Sequence, residues 1–129
     1  MTHVDRLREY FESEPSGAAA AWLYGSTARG TAHRGSDVDV AVLFVKPPAS
    51  TLAAQPFALE DDLTALLGTR VQVVALNRAP VDLVHRVLRD GVLVFEGDRA
   101  ARVRFEVRAR NEFFDLLPIL RQYRRETAS

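Results

Sequence analysis

The chain has 129 residues, 17 basic and 17 acidic side chains, and no cysteine. That length suits one domain with a modest core, residues 1–129 together. The zero net charge gives no global field for nucleic acid or anionic membranes, and without thiols there is neither a disulfide framework nor a thiolate zinc site. No apolar run approaches the roughly 20 residues of a membrane span. Met1-Thr2-His3-Val4-Asp5-Arg6 lacks the basic-then-apolar pattern of a secretion signal. A cytoplasmic protein is the expectation.

In chain order, residues 2–14 predict a helix, with Val4, Leu7, Arg8 and Phe11 at helical spacing, Thr2 as N-cap and Pro15-Ser16-Gly17 as the stop. Residues 18–24 predict a strand, 26–31 a short helix or turn, and 37–45 a second strand whose near-continuous apolar run suits a buried sheet. Lys46-Pro47-Pro48-Ala49-Ser50 is a loop. Residues 55–67 predict a helix with Phe57, Leu59, Leu63, Leu66 and Leu67 inward, Glu60-Asp61-Asp62 outward, and Gly68 as its stop. Strand 70–76, a helix over 80–90 opened by Pro80, and a short strand over 92–95 follow. A long helix from about residue 98 to 125 carries Pro118, expected to kink it near 114–117. The pattern implies a small α/β (α+β) fold: a mixed sheet of about four strands covered by helices, with a long C-terminal helix.

The stretch 22–43 carries the chemistry. Asp37 and Asp39 are two apart, so on a strand they project from one face, with Cα atoms roughly 6.5–7 Å apart. Such a pair can converge on Mg²⁺, which takes few protein ligands and leaves the rest to substrate phosphates. Gly25 tolerates close approach of an anion to the backbone. The Ser26 hydroxyl and the amides after it can cradle a phosphate. The bland alternative, aspartates that cap a strand beside a Gly-rich loop, is weaker because Asp is a poor strand former.

Gly25-Ser26, ten intervening residues and Asp37-Val38-Asp39 resemble the signature of the DNA polymerase beta-like nucleotidyltransferases. Arg29-Gly30 and Ser36 fit the same pattern, as do the flanking apolar strands. Residues 70–95 are similar to the minimal members of that superfamily, reduced to the catalytic core. The resemblance implies that Gly25 and Ser26 position the triphosphate of ATP, that Arg29 contacts a phosphate, and that Asp37 and Asp39 hold Mg²⁺. It further implies an antitoxin that moves AMP onto a tyrosine of a HEPN-type ribonuclease toxin.

One position departs from the pattern. Where the superfamily usually carries a third carboxylate, the run here is Val71-Gln72-Val73. On a strand Gln72 faces away from both valines. If it shares the aspartates' face it fills the third metal-site position as a neutral amide, able to ligate through its carbonyl but unable to act as a base. Glu60, Asp61 and Asp62 lie on a helix too polar to offer a substitute.

The remaining candidates have bland readings. Arg29 serves equally as a brace for its loop, His33 and Arg34 as solvated loop residues, Gly30 and Gly35 as backbone hinges, and Ser36 as the start of the strand. Tyr24 reads as core rather than as an adenine stacker. His3 and His85 have no metal-ligand spacing, and Asp82 suits the first turn of its helix.

In the last helix Val103, Val107, Phe114 and Leu117 form one apolar face, while Phe105, Phe113, Leu116, Ile119 and Leu120 spread around the others. A helix apolar on several sides must be covered on several sides, so a partner or a second copy is expected there. Two rival functions are carried forward: a toxin-masking module whose chemistry has decayed at Gln72, and transfer to a small molecule. The second is disfavoured because no further domain forms an acceptor pocket. Direct nucleic-acid binding is not expected, because the arginines are not interleaved with exposed aromatics.

Overall fold

A computed structural model describes residues 1–25, 37–49 and 56–128. The expected helix or turn over 26–31 lies outside them. The first helix, α1 (His3–Ser13), opens on a reciprocal capping box. Thr2 Oγ1 accepts from the Asp5 amide at 3.1 Å and the Asp5 carboxylate accepts from the Thr2 amide at 3.2 Å. Strands β1 (Ala18–Tyr24) and β2 (Val38–Phe44) follow, then α2 (Phe57–Leu67), β3 (Val71–Ala75), a 3-10 turn at Leu76–Arg78, α3 (Val81–Asp90), β4 (Val92–Glu96) and α4 (Arg99–Ala128).

The strands form one sheet in the order β3-β2-β1-β4. β1 pairs antiparallel with β2 and β4, and β2 pairs parallel with β3, so the sheet is mixed, as expected. The parallel pair requires a crossover, which α2 supplies. Both faces are covered, which is why β1 and, apart from Asp39, β2 read as apolar runs. On one face Leu23, Val38, Val40 and Val42 pack against Leu7 and Phe11 of α1 and Leu59, Leu63 and Leu67 of α2. On the other, Ala19, Ala20, Trp22, Ala41 and Leu43 pack against Val84 and Val87 of α3 and Phe105 and Ala109 of α4. The alanines that blur the strand pattern of β1 are all buried.

Two side chains depart from the sequence reading, and two more take roles it did not give them. Phe57 was expected inward but is 52% exposed. The buried ridge is Leu59, Leu63 and Leu67, and Phe57 stands about 200° around the helix from Leu59. Glu60, expected outward, turns back to accept from the Val73 amide at 2.8 Å, while Thr64 Oγ1 accepts from the Val71 amide at 3.0 Å. Both amides lie on the open edge of β3, so α2 blunts an edge that would otherwise invite further strands. β3 ends at Ala75 rather than at 76. Asn77 takes over its pairing through its side chain, accepting from the Phe44 amide at 2.9 Å and donating to the Phe44 carbonyl at 3.0 Å.

α4 is a single helix with Pro118 inside it. Proline has no amide hydrogen, so the Phe114 carbonyl loses its partner one turn on. Both residues are exposed, which lets water replace that bond. Among the described residues no helix is long and apolar enough to cross a membrane.

Candidate active site

The strand register sets Tyr24, Asp39 and Gln72 side by side. Tyr24 of β1 pairs with Asp39 of β2, and Asp39 pairs with Gln72 of β3. In-register neighbours share a face, so the three side chains form a row across three strands. Alternation along β2 puts Asp39 on the side of Ala41 and Leu43, the side covered by α3 and α4. Asp37 lies one step along on that side, and Gln72 Nε2 donates to Asp37 Oδ2 at 3.3 Å. The neutral residue at the third position therefore touches the acid pair directly, on the expected face.

Gly25 closes the row from the end of β1. Its φ is +77°, in the left-handed region that side chains rarely adopt, and a Cβ built there would stand 2.5 Å from Asp39 Oδ2. Only glycine lets the bend and the carboxylate come this close. Asp37 and Asp39 are half-buried, open enough to receive a ligand. Ser26, Arg29, Gly30, His33, Arg34, Gly35 and Ser36, all between Gly25 and Asp37 in the motif, lie outside the described residues.

Tyr24 is half-buried against the α3–α4 cluster. Burial, and then the neighbouring Asp39 carboxylate, push its phenol above the usual tyrosine range, with Arg86 of α3 opposing. The phenol is thus held neutral beside the acids. Sequence reasoning placed Tyr24 in the core and did not single out Arg86. Neither the place of Tyr24 in the row nor the approach of Arg86 is legible without the strand register and the packing of α3.

Among the described residues no group of three or more His, Cys, Asp or Glu could hold a metal ion. The acid pair amounts to two carboxylates and one amide. That all-oxygen set fits Mg²⁺, which needs few protein ligands and fills its octahedron with water and substrate phosphate. Two acids of α2 are engaged elsewhere: Glu60 caps β3, and Asp62 accepts from Tyr10 Oη at 3.4 Å. His85 is not poised as a ligand either, since it stacks on Phe113 with ring centroids 3.6 Å apart.

A glycine bend set against paired carboxylates on a mixed sheet has counterparts among known proteins. The family described as Polymerase beta, Nucleotidyltransferase matches residues 5–100. The chain belongs to that family and is a nucleotidyltransferase. Among curated relatives, the protein adenylyltransferase MntA of Thermococcus cleftensis is 36% identical over 92 residues, covering 71% of this chain and 85% of that protein. Solved structures share the whole fold. A chain of a toxin-antitoxin complex with AMP-PNP superposes with a TM-score of 0.82 at 21% identity, covering 99% of this chain and 100% of that one. A chain from the complex of tri-AMPylated Shewanella oneidensis HEPN toxin with MNT antitoxin gives 0.76 at 17% identity, with 99% and 100% covered.

Proposed function

We propose that this chain is an antitoxin that transfers AMP from ATP to a tyrosine hydroxyl of a HEPN-type ribonuclease in the cytoplasm and so neutralises it. The observation that carries the reading is the row of Asp39, Gln72 and Tyr24 closed by Gly25, on a fold shared along its full length with a chain of a toxin-antitoxin structure that holds AMP-PNP. Asp37 and Asp39 are the Mg²⁺ ligands, and Gly25, with Ser26 and Arg29, receives the triphosphate. When bound, Mg²⁺ offsets the charge on the phosphates during transfer. The acceptor oxygen bonds to the α-phosphorus, the bond from that phosphorus to the β-phosphate's bridging oxygen breaks, and pyrophosphate leaves.

Gln72 cannot take the acceptor's proton. A phenol ionises near pH 10, far more readily than an aliphatic alcohol, so a tyrosine acceptor can release its proton to solvent with little help. The missing third carboxylate thus favours tyrosine over a sugar hydroxyl. Gln72 instead orients Asp37 through the bond at 3.3 Å, leaving the other carboxylate oxygen for a cation.

Incubating the protein with α-labelled ATP, Mg²⁺ and its HEPN partner should label the partner and stop its RNA cleavage. An unlabelled partner overturns transfer. The second reading, neutralisation by masking alone, draws on the same neutral Gln72. The double substitution Asp37→Ala and Asp39→Ala decides between them: loss of protection supports chemistry, and retained protection supports masking.

A further inference from the structure

α4 is 30 residues long, about 45 Å at the helical rise, and the body covers only part of it. Phe105 and Ala109 are buried, whereas residues 121–127 are all exposed. Away from the body, Val103, Val107, Arg110, Phe114, Leu117 and Arg121 follow one another at alternating steps of four and three. That is the spacing of a seam that packs against another helix. Three of its four apolar members stand open, Val103 at 42%, Val107 at 49% and Phe114 at 58% exposed, and Leu117 is half-buried.

Charge narrows the choice of occupant. The whole chain is neutral, yet α4 holds eight arginines against four acids, Glu106, Glu112, Asp115 and Glu126. Arg102 is tied to Glu96 and Glu106. Among the described residues Arg110 and Arg121, within the seam, have no ion-pair partner. A second copy would set one arginine-rich helix against another. A helix with acidic flanks would meet Arg110 and Arg121 while its apolar residues cover Val107 and Phe114. The family match ends at residue 100, just as α4 begins, whereas the chains drawn from toxin-antitoxin complexes cover 99% of this one, α4 included. The helix therefore lies beyond the matched family core and within the fold shared with those chains. It lies on the side of the sheet that carries Asp39.

We infer that the largely open seam Val103–Val107–Arg110–Phe114–Leu117–Arg121 is the docking surface for the acceptor protein, and that it takes an acid-flanked amphipathic helix of that partner. The inference rests on the antitoxin reading for the partner's identity and is tested separately from transfer. Two variants are made in the full chain, Val107→Glu with Phe114→Glu, and Arg110→Glu with Arg121→Glu. All four positions are solvent-exposed, and unchanged far-ultraviolet dichroism and unchanged binding of Mg²⁺–AMP-PNP report an intact fold and site.

Titration calorimetry against the HEPN partner should show affinity at least tenfold weaker for both variants. The wild-type complex should also lose more affinity with added salt than the arginine variant. Wild-type affinity in both variants, or no wild-type complex at all, overturns the docking surface. So does a wild-type homodimer in light scattering that Phe114→Glu dissolves, because the seam would then belong to a second copy. Seam-dependent binding without label on the partner leaves the docking surface standing and overturns transfer alone.

Discussion

Gly25 carries two constraints at one atom. Its backbone is left-handed at φ +77°, and the space a Cβ would need is taken by Asp39 Oδ2 at 2.5 Å. Gly25→Ala is expected to cost about 1–2 kcal/mol from the backbone alone, read from urea unfolding. Pushing the Asp39 carboxylate aside should also abolish labelling of the partner. Gln72 offers the opposite test. Gln72→Asp replaces the amide that donates to Asp37 at 3.3 Å with a third carboxylate in a solvent-exposed setting. Repulsion should lower stability by about 1 kcal/mol without divalent cation. Added Mg²⁺ should reverse the loss, and thermal melting with and without Mg²⁺ checks both. The acid pair and Gly25 were legible from spacing alone. The contact of Gln72 with Asp37, and the place of Tyr24 in the same row, were not, because each depends on which residues of three strands fall opposite one another.

At the scale of elements, helices and strands were legible where apolar periodicity is regular, and less so where one side chain does the work of a backbone. Asn77 reads as a turn residue, yet its amide continues the β2–β3 pairing beyond the last residue of β3. Glu60 reads as a solvated helix residue, yet it caps an edge amide. Neither role leaves a periodic trace. α1 shows local chemistry that was legible, and it carries a pH dependence. Hydrogen bonding to the Thr2 amide, and then to the Thr2 hydroxyl, holds the Asp5 carboxyl below its ordinary range. A carboxyl lowered on folding adds stability above its unfolded pKa, and that stability is lost as pH falls through the folded value. Thr2→Ala should raise the Asp5 pKa, followed by carboxyl NMR, and should flatten the acid side of the pH–stability profile.

Across the whole molecule, two apolar layers share one sheet. Trp22, the single tryptophan, sits in the α3–α4 layer, whereas Leu63 of α2 is fully buried in the other. Leu63→Ala should cost about 2–5 kcal/mol. If the sheet makes the layers one cooperative unit, Trp22 fluorescence and far-ultraviolet dichroism will report the same shifted midpoint. Separate midpoints would show that the layers melt apart.

The order of the strands also has a consequence in time. β1 lies between β2 and β4, so one margin of it stays open in a growing chain until Glu96 has left the ribosome. The alanine-rich margin is then a point of vulnerability for nascent protein. α4 emerges later still, after Tyr24, Asp39 and Gln72. An acceptor recruited through α4 would find nothing to hold until the strands of the sheet are already made, so recognition would follow assembly of the site during synthesis.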